Sequence, residues 1–165
     1  MCGFFGFVDF DGNIRDVDKN EVIEGTNRIQ YRGPDDSGYF SDNFIQIGFR
    51  RLSIIDLSAS SQPFTNLTRT ITMVCNGEIY NYMELKKELQ LKGYTFFSKT
   101  DTEVVLHGYE EWGHELWEKL NGIFAIVLWD AEKKELILIR DQLGVKPIHY
   151  LKMGKRIYFS SDYNS

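Results

Sequence analysis

Cysteine is scarce in this sequence: the 165 residues contain two, Cys2 and Cys75. Neither their number nor their spacing resembles the disulfide framework of a small secreted protein or a set of metal ligands. We therefore expect two free thiols in a reducing compartment and no metal site.

Long apolar runs and clusters of basic residues are also missing. No apolar stretch approaches the roughly 18 residues that a membrane helix needs, and no basic segment followed by a long apolar one opens the chain. The net charge is −5, and lysines occur only in short groups such as Lys86-Lys87. These absences predict a cytoplasmic protein that binds neither a membrane nor nucleic acid.

The composition that remains is that of a globular domain. Hydrophobic residues make up 42%, charged residues 26% and aromatic residues 15% of the chain, which argues against disorder. A chain of this length suits one domain with a substantial core.

Apolar periodicity predicts about eight strands and three helices. The first strand covers residues 4–10, and the Asp11-Gly12 turn favours a hairpin with the next segment. A helix is predicted for residues 18–30, with Asp18 as N-cap and Val22, Ile23, Thr26 and Ile29 near one face. Residues 31–38 are predicted to form a loop.

The middle of the chain is predicted to be helical and its end to be strands. One helix covers residues 82–92 and stops at Gly93, and a second begins at Thr100, whose capping box includes Glu103. Its buried stripe is predicted to be Val105, Tyr109 and Trp112. A hairpin of residues 123–129 and 135–140 and a closing strand pair follow, so strands lie at both ends. This order favours an α+β fold with antiparallel sheets.

Cys2 is the first candidate for chemistry, because it follows the initiator methionine and opens a strand. Removal of Met1 would leave a thiol and an α-amine on the same Cα. Their reference pKa values are roughly 8.5 and about 7.7 to 8.0, so near neutral pH part of the amine is free to accept the thiol proton. The alternative is that Cys2 is only a small residue near the start of the chain.

Three further positions carry candidate functional groups. One arginine of the Arg50-Arg51 pair could bind a carboxylate through its guanidinium, although two solvated arginines at a strand edge are the alternative. Asn76-Gly77 offers a side-chain and a backbone N–H, the donors that stabilise an oxyanion, but is also typical of a hairpin turn. Asp101 is predicted to lie in the first turn of a helix, where a carboxylate interacts favourably with the helix dipole.

Six motifs occur together in order: residues 2–6 (CGFFG), 32–38 (RGPDDSG), 51–56 (RLSIID), 76–81 (NGEIYN), 100–103 (TDTE) and 140–147 (RDQLGVKP). Together they resemble the class II glutamine amidotransferase domain, most closely the amino-terminal half of glutamine-hydrolysing asparagine synthetases. The resemblance covers residues 2 to about 161. It implies an N-terminal-nucleophile hydrolase fold, a four-layer α/β/β/α sandwich of two antiparallel sheets.

The resemblance also implies roles for individual residues. Cys2 would be the nucleophile on the side-chain amide of L-glutamine, with its own α-amine as base. Asn76 and the Gly77 amide would hold the oxyanion. Arg51 would bind the substrate carboxylate, and Glu78 and Asp101 would pair with its ammonium group. The segment that lines the rest of the site would consist of Leu52, Ser53, Ile54 and Ile55.

In the resembling synthetases a larger domain follows, which uses ATP and magnesium to activate aspartate and receives the ammonia. No synthetase domain is present in these 165 residues. We therefore expect a glutamine amidotransferase domain over residues 1–165, as a fragment or a stand-alone subunit. This domain is expected to need no cofactor of its own. An ammonia-accepting synthetase domain or subunit is the expected partner, and a homodimer is left open.

The sequence departs from the family at two positions. Asp162 stands where Glu is usual, and Gln142 stands where Pro is usual. Two other hypotheses about function stay open. The chain could be a non-catalytic glutamine-binding or regulatory module with the same fold, or the glutaminase half of a different class II amidotransferase.

Overall fold

The computed structural model describes residues 2–52, 62–98 and 100–165, without the side chain of Asp16. Within this part nine strands are found: β1 (Gly3–Asp9), β2 (Asp36–Ser41), β3 (Ile45–Arg51), β4 (Phe64–Thr65), β5 (Ile71–Ile79), β6 (Gly122–Asp130), β7 (Glu135–Arg140), β8 (His149–Met153) and β9 (Arg156–Ser160). The helices are α1 (Asp16–Arg28), α2 (Tyr82–Leu91), α3 (Glu103–Trp112) and α4 (Leu116–Lys119). Single 3₁₀ turns lie at Gln30–Arg32 and Gly113–Glu115.

The strands form two antiparallel sheets. The first has the order β2-β3-β1-β9-β8 and the second the order β4-β5-β6-β7. β1 lies at the centre of the first sheet, where Gly6 pairs with Ile47 of β3 on one side and with Phe159 of β9 on the other. The strand that carries Cys2 at its start is thus held on both edges.

The inner faces of the sheets pack against each other. Their alternating apolar residues form one core, which contains Phe4, Val8, Ile45, Ile47, Phe49, Val74, Ala125, Val127, Trp129 and Phe159. Each large side chain that is fully buried contributes roughly 1.5 to 3 kcal/mol relative to exposure. This layer, called here the inter-sheet layer, is the one that Cys2 contacts.

Helices cover the outer faces. α1 packs on β1 and β3, and α2 and α3 pack on the second sheet over a separate core around Met73, Leu89, Val105 and Leu116. The predicted α+β sandwich, with two antiparallel sheets between helical layers, is confirmed. No helix of the described ranges is both long and apolar enough to span a membrane.

The predicted hairpin after β1 is wrong. The Asp11-Gly12 turn is present, with Gly12 at a φ of +69°, but it leads into α1. The partners of β1 come instead from β3 and β9, which are distant along the chain.

The predicted start of α1 is also corrected. The helix begins at Asp16, and Asp18 is its third residue, whose carboxylate accepts a hydrogen bond from the Arg15 N–H at 2.7 Å. Asp18 therefore caps the helix from a position within its first turn. Val22 and Ile29 are buried as predicted, but Ile23 is 41% exposed because it lies about 100° around the helix from Val22.

The predicted capping box of α3 is wrong as well. The helix begins at Glu103, one residue after Thr102, so Thr100 is not its N-cap. The Glu103 carboxylate instead accepts hydrogen bonds from the N–H groups of Phe97 and Ser98, at 2.9 and 2.8 Å. This arrangement leaves Asp101 in the loop before the helix.

Two strands differ from the predicted segments. β2 begins at Asp36, inside the predicted loop, because it pairs with β3 although half of its residues are exposed. β5 continues through Asn76 and Gly77 to Ile79, so these two residues form no hairpin turn. The predicted helix 82–92, the hairpin of β6 and β7 and the closing pair of β8 and β9 are present within one or two residues.

Candidate active site

Cys2 lies directly before β1, beside the end of β3. Its side chain is partly buried and packs against the inter-sheet layer. The Leu52 N–H donates a hydrogen bond to the Cys2 Sγ at 3.5 Å, and the thiol lies 3.9 Å from the Leu52 carbonyl oxygen. An N–H that points at sulfur complements the negative charge of a thiolate, so the backbone after β3 holds Cys2 in a position suited to a nucleophile.

Arg32 fixes the backbone of the same residue. Its Nε donates to the Cys2 carbonyl oxygen at 3.2 Å, and its Nη1 donates to Asp162 Oδ2 at 2.9 Å. Burial works to raise the pKa of Asp162, but hydrogen bonds from Tyr31, the Asn164 N–H and Arg32 lower it to about 2. Asp162 is therefore ionised at neutral pH and anchors Arg32 against Cys2.

Asn76 presents a side-chain donor in the interior. It is 2% exposed, and strand alternation places it on the face of β5 that Val74 uses for the inter-sheet layer. Its Nδ2 has no hydrogen-bond partner among the residues that the structure describes. Because leaving a buried donor unsatisfied costs about 1 to 3 kcal/mol, such groups are rare and call for an explanation. A ligand oxygen would satisfy this one.

Gly77 supplies a backbone donor on the open edge of the second sheet. Its partner in β6 is Phe124, whose N–H and carbonyl are both hydrogen-bonded to Asp141, on the β7 side. In an antiparallel pair of this kind, the opposite residue directs its N–H and carbonyl away, so those of Gly77 point away from β6. A Cβ at Gly77 would lie 2.0 Å from the Ile123 carbonyl oxygen, which excludes any side chain here.

The two neighbouring arginines face opposite sides of the first sheet. Arg50 Nε donates to the Thr26 carbonyl oxygen at 3.3 Å and its Nη2 bonds Asn27 Oδ1, so its guanidinium lies on α1. Alternation then places Arg51 on the face of Phe49, toward the inter-sheet layer. Arg51, and not Arg50, is thus on the side of Cys2.

Glu78 and Asp101 lie at the end of β5. Glu78 is exposed, whereas Asp101 is partly buried and its Oδ2 accepts a hydrogen bond from the Ile79 N–H at 2.6 Å. Burial raises the pKa of Asp101 and the charge of Glu78 raises it further, while hydrogen bonds from backbone N–H groups oppose both. The two carboxylates are therefore neighbours that a cationic group would stabilise.

Cys75 indicates that these elements converge. Burial raises the pKa of its thiol well above the ordinary value, the negative charges of Asp101 and an ionised Cys2 add to the rise, and Lys146 opposes it. Cys2 before β1, Asp101 before α3 and Lys146 after β7 thus all lie near enough to Cys75 to affect its charge. The sequence alone assigned no role to Cys75.

Of the predicted site residues, Cys2, Arg51, Leu52, Asn76, Gly77, Glu78 and Asp101 are described by the structure, at the ends of β1, β3 and β5 and before α3. Ser53, Ile54 and Ile55 lie outside the described residues. Arg32 had no predicted role, although it is the first residue of the motif at residues 32–38. It also missed the Leu52 N–H, because backbone contacts carry no signature in the sequence.

The arrangement can attack a carbonyl carbon and stabilise the charge that results. It offers a thiol as the nucleophile, and a side-chain amide and a backbone N–H as oxyanion donors. It also offers a guanidinium and two carboxylates, which can bind groups of opposite charge. No group of three metal-ligating side chains is found in residues 2–52, 62–98 and 100–165. A groove of about 500 Å³ on the outer face of β8 and β9 is lined by none of these groups.

Comparison with solved structures supports the fold. The structure of glutamine phosphoribosylpyrophosphate amidotransferase from Bacillus subtilis, complexed with ADP and GMP, superimposes with a TM-score of 0.76 at 20% identity. The superposition covers 97% of this chain and 42% of that one. It confirms the predicted sandwich of two antiparallel sheets between helical layers.

Comparison with curated sequences points to longer proteins. The chain is 42% identical over 166 residues to asparagine synthetase [glutamine-hydrolyzing] 1 of Bacillus subtilis, which it matches along 100% of its own length and 26% of the relative. It is 36% identical to asparagine synthetase [glutamine-hydrolyzing] 2 of Oryza sativa subsp. japonica, over 98% of this chain and 27% of that protein. The chain thus spans about a quarter of the length of these relatives.

The family model described as "Glutamine amidotransferase domain" matches residues 1–165, the whole of the chain. Family match, relatives and fold agree with one another. The chain belongs to the glutamine amidotransferase domain family.

Proposed function

We propose that this chain hydrolyses L-glutamine to glutamate and ammonia, with Cys2 as nucleophile. The observation that carries the proposal is the buried Asn76 Nδ2, a donor that has no partner among the described residues and that faces the same layer as the Cys2 thiol. The adjacent Gly77 amide supplies a second donor. Two donors beside a nucleophile are what an acyl-transfer reaction requires.

The reaction begins once Met1 has been removed. The free α-amine of Cys2 accepts the thiol proton, and the thiolate attacks the side-chain amide carbon of glutamine. Asn76 and Gly77 hold the oxyanion of the tetrahedral intermediate. The C–N bond then breaks, the leaving nitrogen takes up a proton and departs as ammonia, and a γ-glutamyl thioester remains. Water cleaves the thioester, which releases glutamate and restores the thiol.

Substrate recognition follows from charge. Glutamine carries one α-carboxylate and one α-ammonium, and the guanidinium of Arg51 matches the first in a two-point contact. Asp101 and Glu78 match the second. The raised pKa of Asp101 agrees with this assignment, because an incoming cation would relieve the cost of its buried charge.

The ammonia is passed to an acceptor. The relatives of about 40% identity are named glutamine-hydrolysing asparagine synthetases, and on this basis we propose a synthetase domain or subunit as the partner, which uses ATP and magnesium to make asparagine from aspartate. The glutaminase domain itself needs no cofactor. The two free thiols and the net charge of −5 support a cytoplasmic location away from nucleic acid and membranes.

The test is glutamate release from glutamine by the purified chain, with Met1 removal checked by intact mass. We expect turnover by the unaltered chain and by Cys75→Ala, which removes the other thiol. Cys2→Ala should lose turnover while glutamine binding persists. Turnover that survives in Cys2→Ala would refute the nucleophile, and a processed chain that binds glutamine without hydrolysing it would be a binding module.

A further inference from the structure

In the part of the chain that the structure describes, no strand covers the whole edge of β5 beside the proposed oxyanion donors. β4 contributes two pairs, Phe64 with Met73 and Thr65 with Thr72. By the alternation that directs Gly77 away from β6, the N–H and carbonyl of Cys75 also point to this edge. β4 thus stops short of the residue that precedes Asn76.

A side chain takes the place of the missing strand. The Cys75 N–H donates to Gln62 Oε1 at 2.6 Å, and Gln62 Nε2 donates to the Cys75 carbonyl oxygen at 3.0 Å. The next residue, Pro63, has no N–H to offer. The primary amide of Gln62 therefore makes both bonds that a paired strand residue would make.

The same edge is held again four residues later. The Ile79 N–H donates to Asp101 Oδ2 at 2.6 Å. Gly77 lies midway between these two attachments, and Asn76 adjoins it. The two oxyanion donors are thus on a short piece of strand whose edge is fixed at Cys75 and at Ile79.

We infer that Gln62 is a positioning residue for the oxyanion donors. It touches no reacting atom, and it acts through the backbone of Cys75 to fix the direction of the Asn76 side chain and the Gly77 N–H. This role rests on the proposed glutaminase function. An oxyanion forms in the transition state and not in bound glutamine, so a loosened donor pair lowers kcat more than it changes KM.

The two hydrogen bonds between the Gln62 side chain and the Cys75 backbone, called here the Gln62 clamp, require an amide. A carboxylate can accept from the Cys75 N–H but would face the Cys75 carbonyl oxygen with a second acceptor. A methionine side chain has similar length and neither group. Gln62→Glu and Gln62→Met therefore break the clamp in different ways, and Gln90→Glu makes the same chemical change on the exposed side of α2 as a control.

The experiment measures glutamine hydrolysis by the full chain with Met1 removed, together with thermal unfolding and amide hydrogen exchange. We expect both Gln62 variants to lower kcat by about tenfold or more while KM stays within about threefold. The Cys75 amide should exchange at least about tenfold faster in Gln62→Met. Gln90→Glu should match the unaltered chain in all three.

The outcomes separate the two proposals. Unchanged kcat in the Gln62 variants, beside an active unaltered chain, overturns the inference and leaves the proposed function standing. A lower melting temperature with unchanged kcat also overturns it, because the role would then be structural only. No turnover by the unaltered chain and by Gln90→Glu would refute the proposed function and this inference with it. If Gln62→Glu does not fold, Gln62→Met, which introduces no charge, decides.

Discussion

The Asp101 carboxylate accepts a 2.6 Å hydrogen bond from the N–H of Ile79, two residues beyond Gly77. Asp101 thus binds β5, the strand that carries the two proposed oxyanion donors. Its carboxylate also bears a charge that burial makes unfavourable. Asp101→Asn separates the hydrogen bond from the charge. Asp101→Asn keeps an acceptor for the Ile79 N–H and removes the charge.

We expect Asp101→Asn to raise KM for glutamine by about tenfold or more, because an ion pair with the substrate ammonium is lost. Steady-state kinetics check this. Glu132→Gln, an exposed residue in the turn between β6 and β7, is the control and should leave KM unchanged. If KM did not change in Asp101→Asn, Asp101 would have no role in binding the ammonium group.

The same variant should be more stable at neutral pH. Folding raises the pKa of Asp101 above its ordinary value of 3.8. The folded chain therefore binds more protons than the unfolded one in the window above 3.8, and the free energy of unfolding falls as the pH rises through it. Melting temperatures should favour Asp101→Asn at pH 7, with the advantage shrinking below the ordinary pKa. A lower melting temperature at pH 7 would contradict the burial cost.

Arg51 and Arg50 allow a matched comparison. Arg51→Lys replaces the planar fork by a single ammonium and should raise KM by about tenfold with a smaller effect on kcat. Arg50→Lys changes a guanidinium that lies on α1, against Thr26 and Asn27, and should leave KM within about twofold. Equal effects of the two substitutions would remove Arg51 from the carboxylate site.

Asn76 and Asn66 form a second pair of buried asparagines with opposite expectations. Asn76→Ala removes a buried donor that has no partner in residues 2–52, 62–98 and 100–165, so the free energy of unfolding should stay the same or rise, while kcat falls by roughly 100- to 1000-fold. Asn66 accepts from the N–H groups of Thr70 and Ile71 and donates to Glu110. Asn66→Ala should therefore lower the free energy of unfolding by about 1 to 3 kcal/mol with kcat unchanged.

Denaturant unfolding and kinetics on the same samples check this pair. The expected result is a crossed pattern, in which one variant loses rate and the other loses stability. A strong loss of stability in Asn76→Ala would mean that its Nδ2 has a partner and is not held for an oxyanion.

Asp162 should contribute to stability through Arg32. Its pKa is about 2 in the folded chain against an ordinary 3.8, so the contribution is present at neutral pH and is lost as the pH falls from 3.8 to 2. With screening by solvent, we expect Asp162→Asn to lower the free energy of unfolding by about 1 to 2 kcal/mol at pH 7. The difference should disappear near pH 2.

The control for Asp162 is an exposed ion pair. Asp11 meets Lys155 at 2.6 Å, with 45% and 69% of the two side chains exposed, so Asp11→Asn should change stability by less than about 1 kcal/mol. Unfolding by urea at pH 7 and at pH 3 compares the two variants. If Asp162→Asn and Asp11→Asn changed the free energy of unfolding equally at both pH values, the contact between Asp162 and Arg32 would add no stability beyond that of an exposed ion pair.

The sequence was most informative where a signal is local. The α2 helix was predictable from the spacing of Tyr82, Leu85 and Leu89, and β6 from its continuous apolar run. β2 was missed because it has few apolar residues and is a strand only through its pairing with β3. Asp18 was placed in the right cap but at the wrong position, and the capping box of Thr100 and Glu103 was wrong. Both carboxylates bind N–H groups that precede their helices, and such contacts depend on the path of the chain before the helix.

The residues of the candidate site also fall into those that local motifs predicted and those that only the fold reveals. Cys2, Arg51, Asn76 and Asp101 could be named from motifs, because each carries a functional group of its own. Arg32 and Gln62 could not, since each contributes by a contact with a residue 30 or 13 positions away. A motif reports which group reacts, and only the fold reports what holds that group in place.

The central position of β1 has a consequence for the order of synthesis. β1 is the first strand made, yet one of its two neighbours is β9, which ends at Ser160. Cys2 therefore reaches its final surroundings only after Ser160 has left the ribosome. Until then the amino terminus remains accessible, so the proposed removal of Met1 can take place before β1 is paired on both edges. On this proposal the thiol becomes active only once β9 has paired with β1.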